Sequence, residues 1–323
     1  MIPDEAADPW SRLWQAGVLH SCATGIQGNY DGPIRAFWER QFDALGDGAR
    51  VVDLGTGNGP LLLLARGRAQ ARGVALELHG VDTADIDPPR ALADGARLFA
   101  GVRFHPRTSA CALPFGDGTV DLVCSQFGFE YAPREAALAE MLRVAAPRGR
   151  IALVVHSDDS VIARVSAQQR QGCAFLRASP VVERARALVP VLHRAARARH
   201  TGAPAPQGEA ERLAFNRAAQ ALMDMIEALP EAQVLRSAAT QIRNALEAAA
   251  QVPVQADAML ARLHRHLADE DLRLRQQQDA QLSAADLEAL AVRLRAHGYA
   301  VRHAPLEQRP GAKIGWALEA VRG

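Results

Sequence analysis

Lysine is almost missing from this chain: Lys313 is the only one among 37 basic residues, the rest being arginine. A phosphate loop of the form G-x-x-x-x-G-K-[ST] is thereby excluded, because no lysine is placed to reach the phosphates. Cysteine is scarce as well. Cys22, Cys111, Cys124 and Cys173 lie far apart and form no C-x-x-C pair, so neither a zinc site nor a disulfide framework is expected, and a reducing compartment is. Net charge is also lacking. The 37 basic and 36 acidic side chains leave +1, which gives no overall attraction to nucleic acid or to an anionic membrane. No run of about 18 uninterrupted apolar residues exists, and the opening stretch MIPDEAADPW is acidic, without the apolar centre of a secretion signal. A cytoplasmic, soluble protein without a bound metal is expected. Its hydrophobic share of 49% is ample for a core, and 323 residues suggest one elaborated domain or a core with a cap.

What is present is alternation. From about residue 33 to 156 helical and strand patterns follow one another, as in a parallel sheet covered by helices on both faces. GPIRAFWERQFDAL reads as a helix, RVVDLG as a short buried strand, and PLLLLARGRAQARG as the helix it feeds. VALELHGVD is a second strand ending at Asp82, PRALADGARLFAG a single helix, VRFHPRT a third strand, and TVDLVCSQ a fourth. REAALAEMLRVAA then reads as a helix and GRIALVVH as a fifth strand. Near the end, LSAADLEALAVRLRAHG has Ser283 and Asp286 at capping-box spacing and Gly298 as its stop. YAVRHAPLE and KIGWALEAVR follow as two strands around a Pro-Gly turn, an expected hairpin at a sheet edge.

The stretch 158–281 differs in character. It has no strand signal, is rich in Ala, Leu, Arg, Glu and Gln, and carries apolar residues at three- and four-residue intervals, so it reads as a helical insertion. A periodic apolar face says only that the face is buried. A lid over the active site and a packing or homodimerisation element are both open readings. Its basic run ERARALVPVLHRAARARH is compatible with nucleic acid, although a solvated helix face is the simpler reading.

The stretch VVDLGTGNGP poses a chemical question. Alternating Gly55, Gly57 and Gly59 at a strand-to-helix turn let the backbone bend tightly and approach a ligand. A dinucleotide fingerprint requires Gly or Ala at the position that Pro60 occupies, which argues against a nicotinamide cofactor.

The pattern D-x-G-x-G-x-G after a hydrophobic strand resembles the first motif of class I S-adenosylmethionine-dependent methyltransferases. Asp82 closing the second strand, ALPFGDGTVDLVCSQFGFEY at 112–131, RVAAPRGRIAL, and the closing helix and strand pair resemble the same family in order and spacing. The resemblance implies a Rossmann-like, seven-stranded doubly wound sheet, mostly parallel with an antiparallel last strand, interrupted between strands five and six by the insertion. It divides the chain into an arm at 1–32, a core at 33–157 and 282–323, and the insertion at 158–281. It implies S-adenosylmethionine as cofactor and, as donor-binding residues, Tyr30, Asp53, Gly55, Thr56, Gly57, Asn58, Gly59, Asp82, Ser109, Ala110, Cys111, Gln126 and Phe127. Asp82 is expected on the ribose hydroxyls, which suit two carboxylate oxygens. Ser109 stands where the family commonly has an acid for the adenine amino group, so this chain departs from the pattern there. Trp10 and Trp14 are expected to anchor the arm, and Tyr30 to cap the methionine carboxylate. His156 and Glu130 are the candidate bases, each with a purely structural reading beside it. The implied activity is methyl transfer to a small molecule. Transfer to RNA or protein and a noncatalytic binding role are the alternatives, and SQFGFE after the fourth strand lacks the Asn/Asp-Pro-Pro-aromatic signature of amino methylation.

Overall fold

The computed structural model describes residues 8–21, 28–202 and 208–323. In chain order it contains α1 (Pro9–Gln15), α2 (Gly32–Asp43), β1 (Arg50–Leu54), α3 (Pro60–Arg72), β2 (Glu77–Val81), α4 (Pro88–Ala91), α5 (Gly95–Leu98), β3 (Arg103–His105) and β4 (Val120–Gln126). After a 3-10 turn at Phe129–Tyr131 come α6 (Arg134–Val144), β5 (Ala145–Val155), α7 (Val161–Ala178), α8 (Val181–Thr201), α9 (Glu209–Ala228), α10 (Gln233–Ala249), α11 (Pro253–Ala280), α12 (Ala284–Ala296), β6 (Tyr299–Glu307) and β7 (Lys313–Arg322). By contact the chain divides into two units, Met1–Ala163 with Asp279–Gly323, and Arg164–Gln278.

In the first unit all seven strands join one sheet in the order β3-β2-β1-β4-β5-β7-β6. β1 runs parallel to β2 and β4, β2 to β3, and β4 to β5, whereas β7 is antiparallel to β5 and β6. This is the Rossmann-like sheet with an antiparallel last strand. Alternate residues of the central strands feed two cores, as a sheet covered on both faces requires. Val52, Leu54, Val123, Ile151 and Leu153 meet α6 and α12 through Leu138, Met141, Leu287 and Leu294. Val51, Leu122, Cys124, Ala152 and Val154 meet α2 and α3 through Phe37, Trp38, Phe42, Leu61 and Leu62. Each large side chain fully buried this way contributes about 1.5–3 kcal/mol of transfer free energy. The winding reverses between β1 and β4, and in such sheets ligands bind beyond the carboxyl ends of the strands at that point.

Two local features depart from the sequence reading. PRALADGARLFAG is not one helix: Leu92 is extended and Asp94 has φ +57°, a left-handed turn that separates α4 from α5. β5 also begins earlier than GRIALVVH. Val120 pairs with Ala145, and the ladder then jumps to Leu122–Arg150, an irregularity that absorbs the Pro147–Gly149 turn. At α12 the expected capping box is present: Ser283 Oγ accepts the Asp286 N–H at 3.1 Å, and Asp286 Oδ2 accepts the Ser283 N–H at 3.0 Å.

The second unit is helical, from α7 to α11, around Cys173, Leu176, Val182, Leu222, Leu235, Ile242 and Leu260. Its buried Asp271, 4% exposed, is paired with Arg177 and with Arg275. Among the described residues no helix is long and apolar enough to cross a membrane.

Candidate active site

The turn after β1 carries the chemistry-bearing glycines. Gly55, Gly57 and Gly59 have φ of +65°, +52° and +72°, where any side chain is strained. Close approach also operates between parts of the protein itself. A Cβ on Gly55 would lie 2.7 Å from Gly128 Cα, and one on Gly57 would lie 2.6 Å from the Trp14 indole. Gly55 and Gly57 are therefore required by the packing of the fold itself. Trp14 also packs on Ala84 and Ile86 after β2, and Trp10 stacks on it with centroids 6.1 Å apart. Asn58 Nδ2 donates to the carbonyls of Trp14 at 2.8 Å and Val18 at 2.7 Å. The arm is thus fastened to the turn.

Two acids brace that turn from within. Asp53 Oδ2 accepts the Thr56 hydroxyl at 2.7 Å; burial, opposed by this bond and reinforced by the charge of Asp82, pushes its carboxyl up to about 8. Asp82, at the end of β2, accepts the Gly57 N–H at 2.8 Å on Oδ2 and the Ala84 N–H at 2.9 Å on Oδ1. Burial raises it to about 6, with both amide bonds pulling the other way. Burial thus raises both carboxyls, Asp53 more than Asp82.

The loop after β4 packs against the same turn through Gly128. Ser125 Oγ donates to the Leu54 carbonyl at 2.7 Å and accepts the Phe129 N–H at 2.8 Å, tying β4 to β1 at the switch point. Gln126 Oε1 accepts the Trp38 indole N–H at 2.5 Å. Because the indole can only donate, this bond assigns the amide and leaves Gln126 Nε2 as a buried donor without a partner among the described residues. Phe127 has φ +56°, a strained conformation for an aromatic residue. A backbone bond to the Val154 carbonyl at 2.7 Å and a parallel stack on His156, centroids 4.3 Å apart, hold it there.

His156 and Glu130 are brought together. Glu130 Oε1 accepts the His156 backbone N–H at 2.7 Å, and the His156 Nε2 lies 3.4 Å from the Tyr131 hydroxyl. Burial alone pushes the imidazole down to about 3, so it is neutral. Burial pushes Glu130 up to about 7 against the opposing His156 N–H bond, and its Oε2 is buried with no partner among the described residues.

The remaining predicted donor-site residues include the turn that follows Thr108, whose N–H donates to the Asp82 carbonyl at 2.8 Å. Ser109 Oγ accepts the Cys111 N–H at 3.1 Å, so the hydroxyl closes its own turn; Ala110 and Cys111 are half-buried beside the apolar core. Tyr30 is buried in the cluster with Ile34 and Phe37 and lies 4.6 Å from the His20 ring. Ser125, Trp38 and Tyr131 had not been singled out. Only Tyr131 had a signal, its place in the aromatic loop after the fourth strand.

A family model described as a methyltransferase domain matches residues 52–153. A demethylmenaquinone methyltransferase of Thermus thermophilus is 41% identical over 108 residues, which is 32% of this chain and 46% of that one. Another of that name, from Beutenbergia cavernae, is 35% identical over 125 residues, 37% of this chain and 47% of its own. A malonyl-(acyl-carrier protein) O-methyltransferase of Methylococcus capsulatus is 35% identical over 106 residues, 32% and 36% of the two chains. The chain spans less than half the length of these curated relatives.

Proposed function

We propose that this chain, whose residues 52–153 match a methyltransferase domain, is a class I S-adenosylmethionine-dependent methyltransferase that transfers a methyl group to a small-molecule acceptor at the carboxyl edge of its sheet. The observation that carries the reading is the lock between the glycine turn and Asp82: a charged strand-end carboxylate bonded to the Gly57 amide, beside the turn at the switch point. The donor set fits a zwitterionic nucleoside. Asp82 would take the ribose hydroxyls, and the buried unpartnered Asn58 Oδ1 and Gln126 Nε2 offer an acceptor and a donor for the amino-acid end.

When bound, S-adenosylmethionine supplies a methyl group already activated on a sulfonium. What the chain contributes is position, exclusion of water and proton handling. The stacked Phe127 and His156 rings make an apolar wall, and the neutral imidazole adds no charge to it. Of the two candidate bases Glu130 is matched to neutral pH, since a base is most effective near the working pH. Its Oε2 is the atom that takes the acceptor's proton.

A small-molecule acceptor is supported by the two relatives named for demethylmenaquinone, while a third is named for malonyl borne on an acyl-carrier protein. These differ widely in chemistry, so the proposal commits to neither. The arginine run of α8 favours nucleic acid less than its sequence suggests, because Arg186 is engaged by Asp257 at 2.8 Å. The test is calorimetric titration with S-adenosylmethionine, followed by incubation with methyl-labelled donor and fractionated extract. Donor binding and label in the metabolite fraction are expected. Label in RNA or protein would overturn the acceptor class, binding without transfer the activity, and no binding the whole reading.

A further inference from the structure

In the helical unit α9 is poorly covered for its composition. Of its twenty residues, EAERLAFNRAAQALMDMIEA, only Ala218 and Leu222 are buried, while Leu213 and Met223 are 49% and 46% exposed. Between α9 and α10 lies an open groove of about 390 Å³, walled by Phe215, Ala219 and Met223 from one helix and Ala239, Ile242 and Leu246 from the other. Two charged residues of α10 also line it, Arg243 and Glu247. Their side chains are 66% and 70% exposed, and they reach each other only at 3.9 Å, so the pair is loose and each has capacity for a closer partner.

We infer that this groove is a two-fold interface with a second copy of the chain. Patches that pair about a two-fold axis must be self-complementary, each carrying both halves of every contact. This one does. It presents a protruding side chain, Met223, beside a hollow that can receive one, and it carries a cation and an anion one helical turn apart. In an antiparallel crossing of α10 centred at the level of Ala245, Arg243 faces the partner subunit's Glu247, and Glu247 faces the partner subunit's Arg243. Ala245 itself is fully buried. The crossing therefore rests on the flanking positions. A purely apolar ligand would leave the two charges without a purpose, and an anionic ligand would be repelled by Glu247 as much as held by Arg243. A second copy uses both. The inference concerns association alone and does not depend on methyl transfer.

The test is sedimentation of the full chain over a concentration series, with circular dichroism as a check on folding. The wild type is expected to approach twice the 34.7 kDa mass of one chain. R243E and E247R, each placing like charges opposite one another twice, should raise the dimer dissociation constant by about tenfold or more. The double variant R243E/E247R restores opposite charges and should return it towards wild type, whereas Met223→Asp should leave only monomer. The inference is overturned by a wild type that stays monomeric at the highest concentration. It is equally overturned by single charge variants that dimerise as well as wild type, or by a double variant no better than either single one. Saturable uptake of a fluorescent fatty acid by a monomeric wild type would assign the groove to a ligand instead.

Discussion

The two units treat buried acids in opposite ways. In the helical unit Asp271 is ringed by the guanidinium groups of Arg177 and Arg275, with Arg170 at 3.8 Å, so its charge is answered within the fold. In the sheet unit Asp53, Asp82 and Glu130 are as deeply buried, but they are met by backbone amides and a hydroxyl rather than by cations, and all three are raised by burial. Desolvation is the first cause in each case. A fold selected for stability alone would neutralise such groups or remove them. Their concentration at the carboxyl edge of one sheet is the pattern that the proposed site would require.

The largest expected effect tests whether that difference is catalytic. Glu130→Gln keeps the acceptor for the His156 amide and removes the ionisable group. At pH 8 the turnover rate should fall by about a hundredfold or more, and the wild-type rise in rate through about pH 7 should flatten. The same variant has a signature independent of turnover. Because folding raises the Glu130 pKa, its contribution to stability is full below the unfolded carboxyl pKa and is lost as pH rises through about 7. The Gln variant should therefore gain in Tm over wild type above pH 7, and the gain should vanish near pH 4. A pH-independent offset would mean that the Glu130 pKa is the same in the folded and the unfolded chain.

A smaller effect is expected at Asp82. Removing its carboxylate by Asp82→Ala strips the acceptor from the Gly57 and Ala84 amides, and charged hydrogen bonds of this kind contribute about 1.5–3 kcal/mol each. Donor affinity measured by calorimetry should fall by about tenfold to a hundredfold. Unchanged affinity would move the binding crevice elsewhere.

The smallest effect is the control in the other unit. Asp271→Ala releases arginines whose side chains are themselves half exposed, Arg177 at 50% and Arg275 at 49%. The loss should be about 1–2 kcal/mol, less than the cost of breaking a fully buried pair, read by urea unfolding with donor affinity unchanged. A matching fall in affinity would show that the two units are not energetically separate.

The sheet was legible because its strands write themselves plainly: VVDL, TVDLVCSQ and RIALVV are short, largely apolar and valine-rich runs, and the intervening helices carry the complementary stripe. The capping box at Ser283 and Asp286 was readable for the same reason, being a matter of spacing alone. The break at Asp94 had a signal too, since Asp-Gly is a turn dipeptide and Asp tolerates the left-handed region, but the helical pattern on either side of it outweighed that signal. In the site, Asp82 could be read as a strand-end acid after an apolar strand. The Trp38–Gln126 bond and the Ser125 bridge to Leu54 could not, because they join segments brought together by strand order and not by spacing. In the helical unit periodicity marked the buried faces, but not that α9 would keep so little of its own apolar surface covered.

The contact of the Trp14 ring with the bare Gly57 backbone makes the first helix and the glycine turn a single mechanical piece. Any added bulk at the turn must evict the indole, and any loss of the indole opens a hollow beneath the turn. Damage to the leading segment is thereby transmitted to the glycine turn without a single change in the turn's own sequence.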